Sequence, residues 1–254
     1  MATQVYFIGA GPGDPDLLTI KGKRIIQRAD VIIYADSLVN PAVCSYAKEG
    51  AEIYQSASLS LDQITEIIIN AVRQGKLVAR LQSGDPSIYG AIQEQMDVLD
   101  EKGIEYEVIP GVSSLFAAAA TLKTELTIPE HSQTVIITRI EGRTPVPDLE
   151  SLKGLAAHRA TMAIFLSASL VESVVAELLE GGYPAETPAA VVYRASWEDE
   201  IVVRATLKNL AEQVKALGIK KQALILVGDF LNSKRKGMRS KLYNKEFRHE
   251  FRTS

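Results

Sequence analysis

The sequence is poor in the features that mark secreted and membrane proteins. It contains one cysteine, Cys44, among 254 residues, which excludes an internal disulfide framework and suits a reducing cytosol. No apolar run approaches the roughly 18–20 residues that a membrane helix needs. The start of the sequence has no basic segment of the secretory type. We therefore expect a cytoplasmic protein that has no membrane partner.

Histidine and tryptophan are also scarce. His131, His158 and His249 are scattered and have no cysteine at ligand spacing. Because structural metal sites are built from clustered ligands, the sequence predicts no metal bound by the protein. The single tryptophan, Trp197, and its neighbour Tyr193 are predicted to be core residues.

The net charge is small but unevenly distributed. The formal charge is −3, with 46% hydrophobic and 23% charged residues, values that exclude disordered, collagen-like and coiled-coil classes. A protein that binds nucleic acid over its whole surface would carry a strongly positive net charge, so the negative net charge argues against a nucleic-acid partner. Residues 232–254 contain eight basic and two acidic residues, a net +6, which leaves −9 for residues 1–231. We expect residues 233–254 to be a solvated, partly disordered tail; an RNA-binding tail is the alternative.

Short apolar runs alternate with helical patterns along the chain, which is typical of strands that crossover helices bury on both faces. The predicted strands are 5–8, 31–34, 77–81, 106–109, 134–138, 161–166, 189–193 and 223–227; the predicted helices are 17–29, 64–73, 93–101, 115–122, 171–180 and 207–216. The first half indicates a mostly parallel sheet. We predict two α/β domains, 1–122 and 123–232, with a cleft between them.

Three strands of the first predicted domain end in glycine-containing turns, at 9–15, 82–90 and 110–114. Since the carboxyl ends of parallel strands lie at one edge of a sheet, these turns should converge on one crevice. Asp14-Pro15 and Asp85-Pro86 are each predicted to cap and begin a helix, and a serine of the third turn to cap the next helix. Carboxylates at helix N-termini favour a cationic or zwitterionic ligand over a phosphate.

The first turn also has the context of a dinucleotide-binding loop, because a strand precedes it and a helix follows it. Asp36, at the end of the second strand, stands where a ribose-binding acid is expected. Two residues argue against this interpretation: Asp14 replaces the third glycine, and Pro12 has no N–H to offer a phosphate. An NAD-dependent oxidoreductase is therefore the more distant alternative.

The segments GAGPGDPDLLT (9–19), GDPSIYG (84–90) and PGVSS (110–114) resemble the tetrapyrrole methylase family. Its members transfer methyl groups from S-adenosylmethionine to precorrins and related substrates. The resemblance runs from about Val5 to about Phe230. The segments TRIEGRTPVP (138–147) and YRASWEDE (193–200) are similar to members that methylate C(11) of precorrin-4 or cobalt-precorrin-4 in cobalamin biosynthesis. Methylation at another ring position is the alternative.

The resemblance implies two αβα domains, the second with a mixed sheet, a homodimer, and S-adenosylmethionine bound in the interdomain cleft. The donor contacts it implies are Pro12, Ser83, Gly84, Asp85, Ile88, Ser113, Ser114, Leu166 and Ala195. The sirohaem-type branch has an aspartate and a lysine where this sequence has Ala35 and, approximately, Ala57 or Ser58. The roles of that pair are therefore not transferred, which disfavours uroporphyrinogen as the substrate.

Methyl transfer to a ring carbon is an in-line displacement, so positioning of the two reactants can supply most of the catalysis. Glu141 and Asp36 are the candidates for a general base. Arg139 and Arg143 flank Glu141 and are predicted to bind carboxylates of the tetrapyrrole. Arg80 and Arg194 are secondary candidates for binding these carboxylates. The alternative for Arg80, which lies in a predicted strand, is an ion pair with an acid of the protein.

Overall fold

The computed structural model describes residues 4–129, 132–232 and 248, which form two compact units. Unit 1 comprises the described residues up to Ala118 together with Arg194–Glu200. Unit 2 comprises Ala119–Tyr193 and the described residues from Ile201 onward. The predicted boundary between the domains, after residue 122, lies a few residues later than the end of the first segment of unit 1 at Ala118, and the prediction does not anticipate that Arg194–Glu200 belongs to unit 1. The predicted tail lies outside the described residues apart from Arg248.

Unit 1 is built on a five-stranded sheet in which every pair is parallel. Its strands are β1 (Val5–Gly9), β2 (Val31–Tyr34), β3 (Glu52–Gln55), β4 (Val78–Gln82) and β5 (Tyr106–Ile109), in the order β3-β2-β4-β1-β5. The helices are α1 (Ile20–Ile26), α2 (Leu61–Arg73), α3 (Gln93–Glu101) and α4 (Ser114–Leu122), of which α4 ends in unit 2; Pro15–Leu17 and Pro41–Tyr46 are 3-10 helices.

The central strands are apolar because both of their faces are covered. All residues of β2 and β4 are buried. Ile8, Ile32 and Leu81 belong to the core on one face of the sheet, whereas Phe7 and Ile33 belong to the core on the other. The prediction of a parallel sheet buried on both faces is confirmed for this unit.

Unit 2 contains a mixed five-stranded sheet, as predicted. Its strands are β6 (Val135–Arg139), β7 (Thr161–Phe165), β8 (Pro188–Tyr193), β9 (Ile201–Thr206) and β10 (Ala223–Val227), in the order β6-β7-β10-β8-β9. The β6–β7 pair is parallel and the other three pairs are antiparallel. The α-helices of this part are α5 (Leu152–Ala156), α6 (Val171–Glu180) and α7 (Leu207–Ala216). Across the described residues of both units, no helix is long and apolar enough to cross a membrane.

Most predicted elements are present within a few residues of their predicted ends, but the predicted helix 17–29 is shorter in the structure, where α1 spans only Ile20–Ile26. The chain forms the 3-10 helix Pro15–Leu17, leaves helical geometry, and begins α1 at Ile20. The separation has a local cause: Thr19 has extended backbone angles, and its hydroxyl accepts a hydrogen bond from Gly22 N, which caps α1.

The turns that follow β1, β4 and β5 cross one another at van der Waals distance, so the predicted convergence is confirmed. A Cβ atom added to Gly9 would lie 2.5 Å from the Cα of Gly111 and 2.7 Å from the carbonyl oxygen of Gly84. One added to Gly111 would lie 2.2 Å from the same oxygen. Only glycine fits at Gly9 and Gly111, because any side chain would collide with backbone.

We expect Gly111→Ala to lower the free energy of unfolding by about 1–3 kcal/mol, because the added methyl group cannot be accommodated without moving backbone. Urea unfolding followed by circular dichroism measures this change. Gly142→Ala is the matched control, since its Cβ would meet only Leu170 Cδ1 at 3.5 Å, an ordinary contact. Equal stability of the two variants would contradict the steric account.

Candidate active site

The first turn carries Pro12, Gly13 and Asp14 at the end of β1. Its backbone is joined to the second turn, because Gly84 N donates to the carbonyl of Gly11 at 2.8 Å. The carboxylate of Asp14 accepts a hydrogen bond from Asp16 N at 2.9 Å. Asp14 therefore caps a helix that begins at Pro15, as predicted, but that helix is a 3-10 helix of three residues.

The second turn carries Ser83, Gly84, Asp85 and Ile88. No helix begins at Asp85: residues 86–89 form a turn and α3 starts at Gln93. The Asp85 carboxylate instead accepts hydrogen bonds from Ser87 N at 2.9 Å and from Gly111 N at 2.8 Å. Burial would raise the pKa of Asp85, but hydrogen bonds from Ser87 and Gly111 outweigh it and lower the pKa.

The third turn ends in Ser113 and Ser114. The Ser113 hydroxyl accepts a hydrogen bond from Leu115 N at 3.3 Å, and its carbonyl accepts one from Phe116 N. Ser113 therefore caps α4, as predicted. The sequence argues against a phosphate ligand because it predicts Asp14 and Asp85 at helix N-termini. Asp85 caps no helix, so this reason does not hold for the second turn. The preference for a cationic ligand now depends on the carboxylates of Asp14 and Asp85, which belong to two of the crossing turns.

The segment Arg194–Glu200 holds the first turn in place. Trp197 Nε1 donates to the carbonyl of Pro12 at 2.9 Å, and Asp14 N donates to Ser196 Oγ at 3.0 Å. A Cβ added to Gly13 would lie 2.1 Å from Trp197 Cδ1, so the indole lies directly on this glycine. Trp197 is half-buried, and the prediction of a core role is wrong because its ring packs on the turn.

Other residues of this segment support the indole. The guanidinium of Arg194 lies 3.8 Å from the centre of the Trp197 ring and forms an ion pair with Asp199. Arg194 and Ser196 both have positive φ angles, at 48° and 68°. Ala195, between them, is buried. The segment therefore has a fixed backbone shape that presents Ser196 and Trp197 to the first turn.

An open cavity of about 820 Å³ adjoins this arrangement within unit 1. The residues that line it include Asp14, Asn40, Arg194, Ser196, Trp197 and Glu198. Asn40 also donates through Nδ2 to the carbonyl of Gly13 at 2.9 Å. The first turn is thus bounded on one side by an accessible surface that carries both polar and apolar groups.

The loop after β6 carries Glu141 and Arg143, and both side chains are exposed. The guanidinium of Arg139 donates to the carbonyls of Thr144 at 3.1 Å and Pro145 at 2.6 Å. Arg139 therefore fixes the shape of its own loop, and its predicted contact with a substrate stays a prediction. The same holds for the predicted roles of Glu141 and Arg143.

The two remaining predicted residues lie at strand ends. Asp36 is exposed after β2, and its Oδ1 accepts a hydrogen bond from Ala57 N at 3.0 Å. This bond ties the turn that follows β2 to the residues that follow β3. Leu166 follows β7 with a φ of 54° and is 67% exposed, which leaves an apolar surface available in unit 2.

Among the described residues, no group of three or more histidine, cysteine, aspartate or glutamate side chains could hold a metal ion. His158 lies in the described part of the chain, and His131 and His249 lie outside it.

Residues 4–211 match the sequence model of the tetrapyrrole (corrin/porphyrin) methylases, and the chain belongs to that family. It is 62% identical to the cobalt-precorrin-4 C(11)-methyltransferase of Methanocaldococcus jannaschii over 99% of this chain and 96% of that relative. The crystal structure of a cobalt precorrin-4 methyltransferase matches with a TM-score of 0.88 at 49% identity, covering 90% of this chain and 95% of that one. These findings confirm the predicted family.

A uroporphyrin-III C-methyltransferase from Thermus thermophilus, solved with S-adenosylhomocysteine, matches with a TM-score of 0.76 at 30% identity. The match covers 90% of this chain and 93% of the Thermus chain. The Methanocaldococcus alignment also corrects one expectation. Because it covers 99% of this chain, it includes most of the basic tail, so the resemblance does not stop near Phe230.

We expect Trp197→Phe to weaken the binding of S-adenosylhomocysteine, the product form of the predicted donor, roughly fivefold, since one hydrogen bond of about 1 kcal/mol to the first turn is lost. Isothermal titration calorimetry measures the dissociation constant. Tyr183→Phe is the control, because it removes a hydrogen bond to the carbonyl of Ala160 in unit 2. Unchanged binding by Trp197→Phe would show that the indole does not position the turn.

Proposed function

We propose that the protein transfers a methyl group from S-adenosylmethionine to C(11) of precorrin-4 or its cobalt form. The observation that carries this proposal is the 62% identity, over nearly the whole of both chains, to a cobalt-precorrin-4 C(11)-methyltransferase. The T. thermophilus structure with S-adenosylhomocysteine supports the donor. Any cobalt would belong to the substrate.

The crossing turns of unit 1 fit the donor. At Gly9 and Gly111 backbone stands where a side chain would be, so peptide groups rather than side chains line the edge of the sheet. Such groups can hold the amino acid and ribose portions through hydrogen bonds. We propose that the predicted contacts of unit 1 act in this way; they are Pro12, Ser83, Gly84, Asp85, Ile88, Ser113, Ser114 and Ala195.

Electrostatics and apolar surface support the same ligand. S-adenosylmethionine supplies an electrophilic methyl group on a positively charged sulfur. The lowered pKa of Asp85 keeps its carboxylate ionised at neutral pH, and Asp14 adds a second carboxylate. In unit 2, the exposed side chain of Leu166 provides an apolar surface of the kind that packs against adenine.

The reaction needs few groups from the protein. A bond forms between C(11) and the methyl carbon, the carbon–sulfur bond breaks, and its electron pair stays on sulfur. A proton then leaves the ring. Glu141 is exposed and is the better candidate for the base, whereas one oxygen of Asp36 is already engaged with Ala57 N. Placement of the two reactants therefore accounts for most of the rate.

The finer features of the proposal are a homodimer and a cytoplasmic location. The family resemblance supports the dimer, and the single cysteine suits a reducing compartment. Light scattering on the purified protein measures its molar mass and so distinguishes a dimer from a monomer.

Incubation of the purified protein with S-adenosylmethionine and precorrin-4, with and without cobalt, tests the proposed reaction. We expect a product heavier by one methyl group, with the new carbon at C(11) when labelled donor is followed by NMR. A methyl group on another ring carbon would show that the protein methylates that carbon and not C(11). Absence of transfer, together with absence of S-adenosylhomocysteine binding, would contradict the activity itself.

We expect Arg143→Ala to raise the KM for the tetrapyrrole up to about fivefold and to leave kcat nearly unchanged, since an exposed arginine–carboxylate pair contributes up to about 1 kcal/mol. Steady-state kinetics measure both constants. Arg73→Ala, at the exposed end of α2, is the matched control. An unchanged KM for Arg143→Ala would exclude the contact.

A further inference from the structure

Arg80 is a buried cation without a described counter-ion. It lies in the central strand β4, and 5% of its surface is exposed. Its Nε donates to Gln95 Oε1 at 3.1 Å, and its Nη1 donates to Ser56 Oγ at 3.1 Å and the carbonyl of Ile33 at 3.4 Å. All of these acceptors are neutral. The prediction that Arg80 pairs with an acid is wrong for the part of the chain that the structure describes.

This arrangement keeps a positive charge inside unit 1. Burial lowers the pKa of Arg80 to about 10, so the guanidinium stays charged at neutral pH. A buried charge is unfavourable when no opposite charge accompanies it. The neutral oxygens of Gln95 and Ser56 orient the guanidinium and leave its charge uncompensated.

Gln82 provides a second donor on the same face of the strand. Residues two apart in a strand point to the same side, so Gln82 follows Arg80 toward the carboxyl end of β4. It is 6% exposed, and its Nε2 is buried without a hydrogen-bond partner among the described residues. Buried polar groups are rarely left unpaired in native proteins. Gln82 also leads directly into the turn Ser83–Asp85.

The position is one where open parallel sheets bind ligands. Ser56 directly follows β3, and Ile33 is near the end of β2. Nη1 of Arg80 also donates to the carbonyl of Leu81 in β4 itself, at 3.3 Å. Apart from Gln95 of α3, the groups around the guanidinium therefore come from the carboxyl-terminal parts of three consecutive strands of the sheet, β3, β2 and β4, at the edge where ligands bind in α/β sheets.

We propose that Arg80 and Gln82 form a recessed subsite for a carboxylate at the carboxyl end of β4. A carboxylate neutralises a guanidinium and accepts a hydrogen bond from an amide N–H. It would therefore supply the counter-ion that Arg80 lacks and the acceptor that Gln82 Nε2 lacks among the described residues. The inference rests on the proposed function, because both of its reactants carry carboxylates: the amino acid portion of the methyl donor and the acidic side chains of the tetrapyrrole.

Gln82→Met tests the subsite, because methionine has a similar size and has no N–H. We expect about a tenfold loss of affinity for the ligand whose carboxylate binds there, with an unchanged or higher melting temperature, since an unpaired buried amide is removed. Gln55→Met is the matched control. Gln55 ends β3, which lies two strands from β4 in the same sheet, and its Nε2 donates to Tyr34 Oη at 3.1 Å.

Two measurements distinguish the source of the carboxylate. If it belongs to the donor, Gln82→Met weakens S-adenosylhomocysteine and leaves 5′-methylthioadenosine, which has no carboxylate, unaffected. If it belongs to the tetrapyrrole, the KM for precorrin-4 rises and S-adenosylhomocysteine binds as in the wild type. Both constants within twofold of the wild type would overturn the subsite. A wild-type protein that neither binds S-adenosylhomocysteine nor methylates precorrin-4 would instead overturn the proposed function.

Discussion

The close approach of the backbone at Gly9, Gly84 and Gly111 is the constraint on which the site of unit 1 depends. The parallel register of β4, β1 and β5 brings the three turns to one edge, and the missing side chains let them cross. Asp85 then ties the second turn to the third through Gly111 N. The result is an edge of fixed peptide groups, which suits a ligand recognised by hydrogen bonds to backbone.

The sequence predicted these turns because the short apolar runs 5–8, 77–81 and 106–109 are each followed by a glycine-containing turn. It did not reveal β3, whose residues are mostly exposed and form no apolar run. It also misassigned Asp85, since an Asp-Pro pair has the local signature of a helix start, whereas here the carboxylate bonds to a distant turn. Trp197 was missed as a site residue because its partner Pro12 is 185 residues away, a separation that no local pattern reports.

The local charges matter more than the net charge of −3. Asp14 and Asp85 place negative charge at the crossing turns, whereas Arg80 keeps positive charge inside the adjacent strand. A cationic sulfonium and several carboxylates are the charges that the two proposed reactants bring. Each therefore has a complementary group in unit 1, although the described body of the protein is acidic overall.

The most direct test of the central claim is hydrogen exchange measured by mass spectrometry with and without S-adenosylhomocysteine. If the crossing turns hold the ligand, amide exchange slows on binding in peptides that contain residues 9–14, 82–85 and 111–114. Exchange in α7 of unit 2 stays unchanged, and this helix serves as the internal reference. Protection confined to other segments, with all three turns exchanging as in the free protein, would contradict the claim that these turns hold the methyl donor.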